Sequence, residues 1–112
     1  MATGIWRDVI AAVDASAFEI RYRIKPMHEP DPGAWCRWLI IPVEGYLETG
    51  STGPVPIRDV EWIDVDAMEK VAQERLIPAR YVDRSDAIVR ALRETGAAIE
   101  IVDGLVRIRT KQ

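Results

Sequence analysis

Ile99-Glu100-Ile101-Val102-Asp103-Gly104-Leu105-Val106-Arg107-Ile108 is the stretch that decides the fold of this 112-residue chain. An Asp-Gly pair between two apolar runs signals a two-residue type I′ turn, because both central residues there must take positive φ. Counting outward from the turn fixes the register. Val102 faces Leu105, Ile101 faces Val106, Glu100 faces Arg107 and Ile99 faces Ile108. One face then holds Ile99, Ile101, Val106 and Ile108, and the other sets an opposite-charge pair directly across the strands. Composition and pairing agree, so the chain closes on a β-hairpin.

The segment before it, 83–95, reads as a helix. Asp83 or Ser85 caps it, Ile88, Val89 and Leu92 form its buried stripe, and Gly96 supplies a left-handed stop. Toward the N-terminus, Phe18, Ile20, Tyr22 and Ile24 alternate with Glu19, Arg21, Arg23 and Lys25. That period of two gives a strand with one apolar and one charged face, suited to an antiparallel sheet. Residues 26–33 hold three prolines and a glycine and read as a loop. A strand is expected over 35–41, and a short partner over 46–49 follows a turn at Glu44-Gly45. Residues 50–56 form a second loop. Residues 57–65 make another strand, with Ile57, Ile63 and Val65 on one side and Val60 and Trp62 on the other. Asp66 and Glu69 match a capping box, which predicts helical turns over 66–75 ended by Pro78. At the start, Ile5, Val9 and Val13, widened by Trp6 and Ile10, predict a helix over 3–15 with Thr3 as its cap.

The order is helix, strands, helix, hairpin, which favours α+β over a parallel α/β sheet. The expectation is one domain over 1–112, with an N-terminal helix, an antiparallel sheet of about five to six strands, and a C-terminal helix followed by the hairpin. Apolar residues make up 48% and charged residues 29%, as in globular proteins, so whole-chain disorder is excluded. The longest apolar run, 38–43, falls far short of the roughly 20 residues of a membrane span. Arg7 and Asp8 stand where a secretory signal would be apolar. A cytoplasmic protein without a membrane partner is expected.

Candidate chemistry is sparse. One cysteine, Cys36, allows no internal disulfide, and with a single histidine it excludes a metal site made only of Cys and His. No calcium-loop spacing is present, and no cofactor is expected. His28, in the proline-rich loop, has no nucleophile pattern near it, and Cys36 reads as an inert thiol in the core. The glycines at 45, 50 and 53 lack the Lys-Ser/Thr of a phosphate loop. Arg21, Arg23 and Lys25 form a basic stripe, but a net charge of −3 and Glu19 beside it argue against nucleic acid.

Charge is distributed in blocks. Residues 42–69 carry Arg58 against seven acids, net −6, while 1–41 balance and 70–112 carry +3. Asp59, Glu61, Asp64 and Asp66 surround Trp62, and Glu44 and Glu48 come shortly before. Such carboxylates speed encounter with a basic partner, and an aromatic anchor supplies binding energy. These seven residues are the candidate protein-binding site, with Trp35 and Trp38 open to the same reading.

Trp6, the strand Arg21-Tyr22-Arg23-Ile24-Lys25, Val60-Glu61-Trp62-Ile63-Asp64-Val65, Asp83-Arg84-Ser85-Asp86-Ala87-Ile88 and Asp103-Gly104-Leu105-Val106-Arg107-Ile108 recur in this order. Together the set resembles an uncharacterised family of small bacterial single-domain proteins, a domain of unknown function. The chain departs from that pattern in ending on Thr110-Lys111-Gln112 without an aromatic residue. The resemblance carries no catalytic residues. By class, small acidic bacterial domains of this kind are often immunity proteins that block a toxin. The leading expectation is therefore a non-catalytic protein that neutralises a basic cognate toxin. The alternatives are a small enzyme or ligand-binding domain using His28, Tyr22 or the carboxylates, and a module that self-associates through an exposed edge strand, so that the protein is a monomer or a homodimer.

Overall fold

A computed structural model describes residues 2–16, 20–71, 77–78 and 80–109. Along the chain run α1 (Ala2–Ser16), β1 (Arg21–Pro26), β2 (Leu39–Ile40), β3 (Tyr46–Thr49) and β4 (Val55–Pro56). They are followed by β5 (Val60–Asp66), β6 (Met68–Val71), β7 (Arg80–Asp83), α2 (Ser85–Glu94), β8 (Ala98–Val102) and β9 (Leu105–Arg109).

Asp103 and Gly104 take φ of +52° and +79°, the type I′ turn that their identities favour. Every pair counted from that turn is realised, from Val102 opposite Leu105 to Ile99 opposite Ile108. The hairpin then adds to β5, giving a four-stranded sheet of order β1-β5-β9-β8 with antiparallel neighbours throughout.

One face of this sheet is the floor of the core. Tyr22, Ile24, Ile63, Val65, Val106 and Ile108 are buried there, as alternation predicts. Two helices cover it: α1 contributes Trp6, Val9 and Val13, and α2 contributes Ile88 and Leu92. Each such aliphatic side chain stabilises the fold by roughly 1.5–3 kcal/mol on burial. Ile5 and Ile10 sit at the edges of the α1 stripe, half-buried. The Tyr22 hydroxyl is buried near Asp14 of α1, and burial together with that neighbouring charge raises its pKa well above the ordinary value. The Asp83 carboxylate accepts the Ser85 N–H at 2.8 Å in a turn just ahead of α2, but the cap position itself falls on Arg84 without a side-chain cap bond, not on Asp83 or Ser85 as the sequence suggests. Gly96 at φ +82° follows the helix as a left-handed residue.

The α+β arrangement, with its N-terminal helix and closing helix and hairpin, is as expected, but the strands are more numerous and less unified. Among the described residues there are nine, in sheets of four, three (β2-β3-β4) and two (β6-β7). Met68–Val71 is extended, where a capping box predicted helix. Asp66 spends its carboxylate on the Met68 N–H (3.1 Å) and on Arg21, while Glu69 is buried against Arg84 at 2.8 Å. The polar strand β7 pairs with this segment residue for residue. The strand expected over 57–65 starts at Val60, preceded by one 3-10 turn. Of the strand expected over 35–41, Leu39–Ile40 and an isolated bridge at Cys36 remain. Cys36 is half-buried rather than sealed in the core, and its Sγ accepts the Gly50 N–H at 3.0 Å. Ile101 lies on the apolar face of the hairpin but beyond the helices, and it is exposed. Phe18, Glu19, the Thr3 side chain and residues 72–76 of the expected second helix lie outside the described residues.

Candidate functional site

The second face of the four-stranded sheet is built from charge. Register places Arg23, Asp64, Arg107 and Glu100 in one row across β1, β5, β9 and β8. Asp64 is fully buried, and its two oxygens receive Arg107 at 2.8 and 3.1 Å and Arg23 at 3.1 and 3.2 Å. The Asp64 hydrogen bonds keep the Arg107 guanidinium more firmly protonated than usual, against the opposing effect of desolvation. Beside this row Arg21 pairs with Asp66, Lys25 with Glu61 at 3.0 Å, and Glu100 with Arg109.

Tryptophans brace these cations. The Arg107 guanidinium lies 3.7 Å from the centre of the Trp62 ring, and Arg23 lies between Trp62 (5.8 Å) and Trp35 (4.5 Å). Trp35 also lies under Arg21 at 5.2 Å. Each contact is within the range of cation–π attraction. Trp62 stands on the face opposite Ile63, as its alternation predicts, yet only 8% of it is exposed. Arginine side chains cover it with their apolar stems and flat heads.

This geometry corrects the reading of Trp62 and its flanking carboxylates as one outward contact surface. Trp62 and Asp64 are internal, and Glu61 and Asp66 are held by cations of β1. Asp59 lies 4.0 Å from His28 Nε2 at the other end of β5. Glu44 reaches Arg7 of α1 at 2.8 Å, with both side chains solvated. Glu48 has no ion-pair partner among the described residues. The seven do not converge.

Where an exposed aromatic surface does exist is the outer face of β2-β3-β4. Leu39, Leu47 and Thr49 point into the core, so the alternate residues Ile40, Tyr46 and Glu48 point out. Ile40 stands directly opposite Glu48. Trp38, one step further along, is 43% exposed, and Val43 in the adjoining turn is exposed as well. Gly50 makes room for that indole, since a Cβ there would lie 3.3 Å from the Trp38 ring and 2.6 Å from Cys36 Sγ. Trp38, Ile40, Val43 and Tyr46 thus form an apolar patch with Glu44 and Glu48 at its margin. Of these four the sequence reading singles out Trp38 alone, and the pairing of β2 with β3 shows that Ile40 and Tyr46 face outward with it.

Surface clefts of 430–820 Å³ lie among the described loop, strand and helix residues, and His28 does not line these. Among the described residues no group of three His, Cys, Asp or Glu side chains could hold a metal ion, and no helix is long and apolar enough to cross a membrane.

Fold and surface together define an α+β domain whose central sheet has one helix-covered face and one face of paired charges. The chain belongs to a family of unknown function, DUF6678, which matches residues 1–110. No curated protein and no solved structure matches it.

Proposed function

We propose that this chain is a cytoplasmic, non-catalytic protein-binding domain of bacterial origin, and that it acts as an immunity protein by covering a basic toxin. Its contact surface is the outer face of β2-β3-β4. The observation that carries this reading is the exposed grouping of Trp38, Ile40, Val43 and Tyr46, because aromatic anchors of this kind dominate binding energy at protein interfaces. Glu48, without an ion-pair partner among the described residues, supplies the sign of charge that steers a basic partner, and Glu44 beside it is shared with Arg7. Glu61, Trp62, Asp64 and Asp66 serve the sheet instead, since their charges and ring are taken up within the chain, and Asp59 lies apart from the patch beside His28.

The test is co-expression with the product of the adjacent gene, read as growth protection and as affinity of the purified pair. Trp38→Ser removes a central anchor worth about 2 kcal/mol or more, so affinity falls at least about 30-fold. Glu61→Gln, on the far face, leaves it unchanged. Absence of binding and protection, or equal loss in both variants, refutes the reading.

A further inference from the structure

The four-stranded sheet has two edges, and they are treated differently. Along β1 the edge is occupied by the following loop: Tyr22 and Cys36 exchange N–H···O bonds of 2.6 and 2.8 Å, and Gly33 N–H reaches the Ile24 carbonyl at 2.9 Å. Along β8 no described residue covers the edge. In a two-residue hairpin the pair flanking the turn exchanges both backbone bonds, and bonded pairs then alternate. Val102, Glu100 and Ala98 therefore direct their N–H and C=O groups at β9. Ile99 and Ile101 direct theirs outward, where no described residue receives them. Ile101 also leaves 59% of its surface in water. An unpaired, apolar edge strand is a template for another strand.

We propose that this edge pairs with β8 of a second copy of the chain, antiparallel and about a two-fold axis at Ile99, joining two sheets into one of eight strands. Of the registers that bring the outward groups of Ile99 and Ile101 face to face, one centred on Glu100 sets two carboxylates directly opposite, which is repulsive. One centred on Ile101 sets Ile99 against Asp103, whose left-handed backbone at φ +52° cannot continue a ladder. The register centred on Ile99 has neither defect. Ile99 of each copy exchanges two bonds with Ile99 of the other, and each Ile101 N–H reaches the Ala97 carbonyl across the axis. The Ala97 N–H needs no new partner, because it already donates to Thr95 Oγ1 at 3.2 Å.

Side chains fit the same register. Ile101 is covered by Ala97 and Ile99 of the second copy. Glu100 falls opposite Ala98, whose neighbour on β9 is Arg109. A methyl group is all that separates that Arg109 from the incoming Glu100, so the acid gains a cation from each chain. The contact is isologous, which closes it as a dimer and leaves no growing end.

Sedimentation equilibrium across about 5–500 µM tests the proposal on the full chain. Wild type approaches twice the monomer mass as concentration rises. Ile101→Lys raises the dimer dissociation constant at least about tenfold, while Tyr81→Lys, equally exposed but elsewhere, leaves it unchanged. Ala98→Glu, which sets one acid directly opposite each Glu100 across the axis, weakens the dimer independently should Ile101→Lys misfold. A wild-type chain that stays monomeric throughout, or a dimer indifferent to folded Ile101→Lys or Ala98→Glu, overturns it.

Discussion

Replacing Asp64 with asparagine removes one negative charge from between two arginines while preserving shape. In the native chain the carboxylate is fully buried and takes four hydrogen bonds from Arg23 and Arg107. Without it two guanidiniums face each other across a neutral amide. Breaking one side of a fully buried ion pair costs about 3–5 kcal/mol. The Arg23 and Arg107 side chains keep 25% and 15% of their exposure, and water reaching them relieves part of the repulsion. The lower end of that range, about 3 kcal/mol, is the expected loss. With an unfolding entropy of roughly 2.1 cal/mol/K per residue, this chain lowers its Tm by about 13 °C for that loss. Asp66→Asn is the control. Its amide still accepts the Met68 N–H, and the lost partner Arg21 is half-exposed, so the cost stays below about 1 kcal/mol. Thermal and urea unfolding followed by tryptophan fluorescence measure both. A loss at Asp64 no larger than that at Asp66 would refute the idea that the buried carboxylate holds the two strands' cations in place.

Two further outcomes follow from the packing. Tyr22 stays neutral in the fold to higher pH than a solvated tyrosine, first through burial and then through the Asp14 charge. An unfolded tyrosine ionises near pH 10, so stability falls as pH rises beyond that value, and Tyr22→Phe makes the fall shallower; identical urea midpoints against pH in the two proteins would contradict this. Gly50→Ala forces a methyl group to 2.6 Å from Cys36 Sγ, and a destabilisation of about 1–3 kcal/mol is expected from overpacking, relieved in the double variant with Cys36→Ala; a stability unchanged from wild type would show that the loop yields freely.

Much of the fold is legible in local sequence because its strongest signals are local. An Asp-Gly turn fixes the register of β8 on β9 without help from the rest of the chain, and the Ile88, Leu92 and Gly96 pattern does the same for α2. Even the charge blocks are informative, though their meaning is topological. Acidic β5 lies between basic β1 and basic β9, so Glu61, Asp64 and Asp66 find their counter-ions in the strands on either side of it. That pairing spans separations of 36 to 45 residues, which no local pattern exposes. For the same reason alternation places Trp62 on the correct face but cannot show Arg107 lying over it. The turn at Asp66 is a different kind of miss. Its carboxylate suits a helix cap and an extended turn equally, and the choice is made by pairing with Arg80–Asp83. Trp38 and Tyr46 came to light through pairing too, because only the β2-β3 register says which side is wet.

An antiparallel sheet can leave one face to water, and a chain of 112 residues has little to spare for a third layer. Here guanidinium planes and two indoles roof the second side of the sheet in its place. Exchanging Arg23, Asp64 and Arg107 together for aliphatic residues of matched volume would therefore conserve or raise thermal stability while baring a greasy plane. The toll would fall on solubility rather than on folding.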